Sequence, residues 1–565
     1  MALALSCAEG GIGMSSDLSD TDGRSGMLPG PGRSTLAAII TTARAGGLDH
    51  AWAMFRASGY DDQHDQPAAL AVKGRLLKDS AQRLPTADRA PAFAAAAATY
   101  AQATSLAPQP YTMINVATLN LLAGNRDAAI AIAKRLVTWL DRDDAIQETP
   151  YYLEATRAEA MLLCGTRTEA EAALGRAIGH DPDGWSDHAS TLHQFKLILD
   201  ATGQGTEWLD RYRPPHSLYF GGHLGVASDG CATLRSQVMD ILDQERVGFG
   251  YGALAAGSDI VIAEAVLARG AELHVVLPVE VEEFAAQSVV PFGEEWRSRF
   301  DRCLDGASSL RIVTHVTGDY EPLATLLAAD VAMGSAVLNA RQLESKATQL
   351  LVIDEGEGPL GMGVGMAQAA QRWMQDGCHQ HVIRSPRTSP VLASGYRLGE
   401  EGRPDRRLAA MLHITFDGID ALDDGQFAEA VDSVLTPFRE ACARVSVQPA
   451  LTLPAGNARI VAFALPEDAW SHARALLALV PRSLPLRITG HYALAHWLES
   501  PPALVGRGIA ELEMIAGSAI PGVLTVSETL ASALFVSCDP NLYAEWVGEA
   551  GDIRLFAVTA RRERQ

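Results

Sequence analysis

A repeated helix–glycine–helix unit constrains this chain more than any other feature. Leu121-Leu122-Ala123-Gly124-Asn125-Arg126-Asp127-Ala128 recurs as Leu162-Leu163-Cys164-Gly165-Thr166-Arg167-Thr168-Glu169-Ala170, with the two glycines 41 residues apart. A looser echo runs from Leu197 to Gly203. Each copy reads as a helix, a turn through the glycine, and a second helix opened by an acidic residue. Such a pair cannot bury its apolar face alone, so neighbours are expected to stack into a solenoid from about 35 to 210, a plain helical bundle being the alternative. Neither arrangement carries a chemical site. The concave face of a solenoid binds protein, and Trp185, Trp208 and the Tyr151-Tyr152 pair read as its packing.

Composition narrows the rest. A chain of 565 residues holds about three to four domains at ~150 residues each. With 46 Lys+Arg against 68 Asp+Glu the formal net charge is -22, which argues against a nucleic-acid phosphate backbone and an anionic membrane as partners. No stretch reaches about 18 uncharged apolar residues, and the start lacks the basic region of a signal peptide, so a cytoplasmic protein is expected. Seven scattered cysteines with no CxxC pair fit reduced thiols. Cys378-His379-Gln380-His381 has the composition of a metal fragment but lacks a second ligand pair, and is read as a solvated turn.

Residues 1–33 are read as a flexible tail, rich in Gly, Ser and Asp. From about 213 to 392 apolar strands alternate with helices, the pattern of an α/β, doubly wound parallel sheet. Glycine-bearing turns are expected at three strand ends: Gly221-Gly222-His223, the segment 248–259, and 356–365. Ligands of such sheets sit beyond the carboxyl ends of the strands, and glycines there let backbone N–H groups approach a phosphate. The alternative is that these glycines serve tight turns and close packing.

The stretches GGHL, GYGALAAGSDIVIAEAVLARGAELHVVLPVEVEEFAAQSV and EEWRSRFDRCL resemble a bacterial SLOG-type Rossmannoid domain, a superfamily similar to the lonely-guy nucleoside phosphoribohydrolases and the DNA-processing Smf proteins. The resemblance covers about 216–385 and implies a nucleotide or nucleotide-derived ligand. Carried over, Gly221, Gly222, His223, Gly252, Gly257, Ser258, Asp259 and Glu264 line or support the pocket, joined by Gly358, Gly361 and Gly363. The hydrolytic members carry PGGxGTxxE. The matching stretch Gly358-Pro359-Leu360-Gly361-Met362-Gly363-Val364-Gly365 has neither the Thr nor the following Glu, so sensing is expected over hydrolysis. Glu264 stays open as an acid/base or as a structural carboxylate. KGRLLKDSAQR (73–83), 111–125 and 154–170 resemble the TRAF-binding, tetratricopeptide-like region of the apoptosis signal-regulating kinases and of bacterial signalling proteins, which implies protein docking.

After a polar linker at 393–407, the order of elements in 408–565 resembles a class III nucleotidyl cyclase, an α+β, ferredoxin-like fold. Pro521-Gly522-Val523-Leu524-Thr525-Val526-Ser527-Glu528 matches that family's PGxxxVSE stretch, and Leu486-Arg487-Ile488 with Gly490-His491 resembles its LRIGLHTG strand. Cyclisation needs two divalent ions held by two Asp carboxylates. The resemblance puts Thr415 and Asn457 at those positions, Leu451 at the base-reading Lys, and Ala510 and Met514 at the transition-state Asn and Arg. Asp417 and Asp420 lie close enough that a slipped register rescues one ligand. His413, on an apolar strand, reads as a core residue. The expectation is a multidomain signalling protein: an all-α tetratricopeptide-like solenoid at 34–212, a Rossmannoid nucleotide-sensing domain at 213–392, and a pseudo-cyclase that forms a homodimer or higher oligomer. No resident metal or catalytic residue is expected. A nucleotide- or NAD-processing hydrolase and a divergent cyclase are the alternatives.

Overall fold

The computed structural model describes residues 34–142, 148–226, 228–315, 322–354, 370–371, 373, 379–387, 406–479, 485–537 and 541–560. It forms two compact units, one up to Pro214 and one from Pro215 to Arg561.

The first unit is helical: α1 (Leu36–Arg44), α2 (Leu48–Ala57), α3 (Pro67–Gln82), α4 (Thr86–Leu106), α5 (Pro110–Leu122), α6 (Arg126–Leu140), α7 (Pro150–Leu163), α8 (Arg167–His180) and α9 (Trp185–Thr202). The repeat glycines fall where helices stop. Gly124 lies between α5 and α6, Gly165 between α7 and α8, and Gly203 caps α9, all at positive φ, a conformation in which a Cβ is strained. Ala133, Leu136, Ala158, Leu174, Phe195 and Ile198 make one continuous buried core across the successive pairs. Tyr151 and Tyr152 pack edge-on in a smaller cluster with Ala155 and Ala177, and Trp208 packs on Phe195.

The second unit holds two sheets. The first consists of β1 (His216–Gly222), β2 (Val247–Gly252), β3 (Glu272–Leu277), β4 (Ser309–Ile312), β5 (Ala347–Ile353) and β6 (His379–Arg384), in the order β4-β3-β2-β1-β5-β6. Every pairing is parallel. The helices α10 (Ser228–Gln244), α11 (Ser258–Ala268), α12 (Val281–Ser288), α13 (Glu294–Asp305) and α14 (Pro322–Gln342) connect the strands.

Two sequence expectations change here. Gly248 to Gly252 belong to strand β2 and not to a turn. A Cβ on Gly250 would sit 3.0 Å from Val266, and one on Gly252 would sit 2.6 Å from the Phe220 ring. These glycines make room for core side chains crossing the strand. His379 to His381 likewise lie on strand β6 and not in a solvated turn, while Cys378 lies outside the described residues.

The second sheet comprises β7 (Arg406–Phe416), β8 (Leu451–Ala455), β9 (Ala458–Phe463), β10 (Leu486–Glu499), β11 (Pro502–Val505), β12 (Leu524–Ser527), β13 (Leu542–Ala550) and β14 (Ile553–Ala560). Its order is β13-β14-β12-β10-β7-β9-β8, with β11 folded back on β10. All pairings are antiparallel except β10 with β12. Helices α15 (Asp424–Ala430), α16 (Thr436–Cys442), α17 (Pro466–Leu479), α18 (Arg507–Ala516) and α19 (Glu528–Ser537) complete it.

The two sheets are joined through α14, which packs on β1, β2 and β3 on one side and on α19 on the other. Its window Leu323–Gln342 is long and apolar enough to cross a membrane by length and composition, yet 67% of it is buried. Its hydropathy is therefore that of a core helix sandwiched between layers. Gly334 sets the closeness of the α14–α19 contact. A Cβ there would stand 2.5 Å from Ser532 Cα and closer still to its carbonyl. Around this point Ser335 and Ser532 hydroxyls meet at 3.2 Å, Gln342 donates to Ala544 O at 3.2 Å, and the Arg341 guanidinium lies 4.8 Å over the Phe535 ring. Glu528 at the start of α19 accepts from Arg554 at 3.1 Å and pairs with Arg311 of β4. The seam thus combines backbone approach, ring contact and a charge bridge.

Candidate functional site

Strand order reverses between β1 and β5, the point where open α/β sheets leave a crevice. The chain leaves β1 through Gly221 and Gly222 and turns inward at His223, whose N–H donates to Val352 O at 3.2 Å. His223 is buried, with Nε2 at 2.8 Å from Ser385 O beyond β6 and Nδ1 at 3.1 Å from Leu224 O.

Helix α11 begins against the same turn. The Ser258 hydroxyl and amide both donate to His223 O, at 3.0 and 3.3 Å. Next to it the Asp259 carboxyl is buried and accepts from the Ala255 amide at 3.3 Å, while its second oxygen, Oδ1, is buried with no hydrogen-bond partner among the described residues. Burial pushes its pKa up to about 7, against the opposing pull of the Ala255 and Gly222 amides. On the far side, Asp354 at the end of β5 accepts from the Arg387 amide at 3.3 Å and faces its guanidinium at 3.9 Å.

Gly221, Gly222, His223, Gly257, Ser258 and Asp259 therefore lie together. The missing Cβ atoms, however, are replaced by the protein's own atoms. A Cβ on Gly222 would press on Ser258, its Oγ at 2.8 Å. One on Gly257, at φ +118°, would meet Gly225 N at 2.8 Å and His223 O at 3.0 Å. Gly252 accommodates Phe220. At these three positions close packing accounts for the glycine. Gly257→Ala is expected to cost about 3 kcal/mol of unfolding free energy, from backbone overlap plus an unfavourable φ. Urea unfolding followed by circular dichroism checks this.

Glu264 is taken up elsewhere. Arg299 of α13 grips it through two hydrogen bonds of 2.8 and 2.7 Å and stacks 4.2 Å over Trp296. That bidentate pair is the structural role left open for this carboxylate. Gly358, Gly361 and Gly363 lie outside the described residues. Asp354 and Arg387 were missed by sequence reasoning. The signal was present in a carboxylate closing the apolar strand QLLVID, at the strand end where such sheets hold ligands.

The second sheet has a cleft of about 460 Å³ lined by Thr415, Asn457, Asp417, Asp420, His413 and Arg487, among others. Thr415 and Asn457 are thus brought together, whereas Leu451, Ala510 and Met514 do not line it. Met514 is instead half exposed on α18, where its sulfur would lie 3.4 Å from a Cβ on Gly551. The slipped-register carboxylates are present but engaged. Asp417 accepts from Arg487 Nε at 2.6 Å, and Asp420 accepts from Asn457 Nδ2 at 2.6 Å. A divalent ion needs anionic oxygens, and here a guanidinium and an amide hold them. His413 lines this cleft, half-buried, with its pKa lowered by burial; it is not enclosed in the core.

A family model for "Tetratricopeptide Repeats-Sensor" matches residues 29–120. The helices from α1 to α5 carry that likeness to tetratricopeptide repeats. None of the curated proteins matches the chain. Among solved structures, the adenylyl cyclase CyaB from P. aeruginosa aligns at 10% identity and TM-score 0.24, over 29% of this chain and 100% of that one. An adenylate/guanylate cyclase/hydrolase from Silicibacter pomeroyi aligns at 16% identity and TM-score 0.23, over 27% of this chain and 98% of that one. DNA processing protein A from Streptococcus pneumoniae aligns at 8% identity and TM-score 0.15, over 35% and 83%. At these scores the likenesses assign no activity.

Proposed function

We propose that the chain is a non-catalytic signalling protein. The strand-end site around His223 and Asp259 takes a nucleotide-type ligand, and the α14–α19 seam carries its effect to a cyclase-like module that no longer turns over substrate. The helical unit docks a protein partner, in keeping with its tetratricopeptide-like helices, and the cyclase-like module pairs with a second copy. The finer likenesses, to a TRAF-binding region and a SLOG-type domain, belong to this reading. Absence of turnover rests on one observation above all: the carboxylates nearest the cyclase-type metal positions, Asp417 and Asp420, are held by Arg487 and Asn457.

A hydrolase at the strand-end site is the second reading. It draws on Asp259, a buried carboxyl poised near neutrality, the condition a general acid/base needs. Mass spectrometry of small molecules released from the purified, denatured protein tests the ligand. A nucleotide or nucleotide derivative recovered from the wild type and lost from His223→Ala supports the proposal. Recovery undiminished in that variant places the ligand elsewhere and contradicts it.

A further inference from the structure

At the opposite end of the parallel sheet, the strands start beside a cluster that neither the strand-end site nor the cyclase-like cleft uses. His379 and His381 alternate along β6 and so project from the same face. Both rings converge on Glu245, the residue after α10. His379 Nδ1 lies 2.9 Å and His381 Nε2 2.8 Å from the same oxygen, Oε1. The ligand atoms of all three lie within 4.8 Å of one another. His216, at the first position of β1, brings Nδ1 to 3.7 Å from Oε2 of the same carboxylate, beyond hydrogen-bond reach. That nitrogen is buried without a hydrogen-bond partner among the described residues.

From this geometry we infer that Glu245, His379 and His381 form a binding site for a divalent transition ion of the zinc class, with His216 beside it as a fourth donor. Two imidazoles and a carboxylate form a donor set that suits zinc, cobalt or nickel more than magnesium or calcium. Tetrahedral ligands at about 2.0–2.1 Å from zinc stand about 3.3 Å apart. The two imidazole-to-carboxylate spacings fall short of that by about half an ångström, a displacement within the reach of His379, whose side chain is 62% exposed. The same exposure provides an entry path. Glu245 and His381 are largely enclosed, at 12% and 17%, so two ligands are held in place before the ion arrives. The second oxygen of Glu245 is met by Thr348 Oγ1 at 3.3 Å, which orients the carboxylate in the way outer-shell donors do at metal sites. Arg246 and Lys346 bring positive charge close to His216, so the carboxylate is indispensable to a cationic ligand here. Such an ion would tie α10 to the edge strand β6.

The test uses the full-length chain, stripped with chelator and titrated with Co²⁺, alongside the His379→Ala/His381→Ala double variant. The expected result is one equivalent bound by the wild type with visible d–d absorption, both lost in the double variant. Should the double variant fail to fold by circular dichroism, His379→Ala alone, altering an exposed side chain, is expected to weaken Co²⁺ binding about tenfold or more. A wild type that binds no Co²⁺, or variants that bind it as the wild type does, would overturn the assignment. In either outcome the trio is a hydrogen-bonded bracket between α10 and β6.

Discussion

Gly334→Ala is expected to separate the two sheets of the 215–561 unit, and to destabilise it about as much as Gly257→Ala does. The new Cβ would overlap the Ser532 carbonyl. That atom belongs to the backbone of α19, so no rotamer change relieves the clash and one helix must move. The charge bridge from Arg311 to Glu528 and the Arg341–Phe535 contact sit on the same seam and are disturbed together. A loss of about 3 kcal/mol is the expected scale. Limited proteolysis should then cut between the sheets at protease levels the wild type resists. Gly175→Ala serves as the control. Gly175 is also a helical glycine, but a Cβ there meets nothing within 4 Å, and replacing glycine by alanine in an open helix stabilises by up to about 1 kcal/mol. Equal behaviour of the two variants would show that the seam does not hold the unit together.

Asp259→Asn is expected to change the pH dependence of stability more than any other single replacement in the strand-end site. The folded pKa is about 7, against an ordinary 3.8. Between those values the native state holds a proton that the unfolded chain has released. Stability from this group is therefore complete below about pH 4, falls as pH rises, and is lost by pH 7 to 8. A shift of this size corresponds to about 4 kcal/mol at most. The asparagine removes the slope but buries an amide donor, which costs about 1–2 kcal/mol. The net expectation is a variant about 2 kcal/mol more stable than the wild type at pH 8 and no more stable at pH 4. Urea unfolding at the two pH values measures this. Parallel curves for the two proteins would mean that Asp259 is ionised in the native state throughout, and would remove the main support for an acid/base at this position.

Much of the architecture could be read from the chain because it is local. The glycines at 124, 165 and 203 stop helices through their own φ angles, and nothing distant is needed to see it. The alternation of apolar strands and helices after residue 213 is local as well, and it foreshadows the parallel order from β4 to β6. Contacts made across long sequence separations could not be read. The GFGYG segment looks like a turn until Phe220 and Val266 are placed against it. His379 and His381 look solvated until Glu245, more than a hundred positions earlier, arrives beneath them. Gly334 is an ordinary helical glycine until Ser532 is packed on it. For the strand-end site, the resemblance to a SLOG-type domain pointed to His223, Ser258 and Asp259, which lie together. It could not tell whether the surrounding glycines leave space for a ligand or fill it with the protein's own atoms, and at Gly222, Gly252 and Gly257 they fill it. In the cleft of the second sheet, the resemblance of motifs pointed to Thr415 and Asn457, and the fold brings the two together. The engagement of Asp417 and Asp420 depends on Arg487 and Asn457 side chains whose partners no motif specifies.

Incubation of the full-length protein with ATP, GTP and NAD in the presence of Mn²⁺, followed by separation of protein from solution and mass analysis of both fractions, distinguishes binding without turnover from catalysis. The expected result is a nucleotide retained on the protein and recovered chemically intact, with no product in solution. Cyclic nucleotide would contradict it by showing a working cyclase cleft, and released base or ribose phosphate would contradict it by showing hydrolysis at the strand-end site.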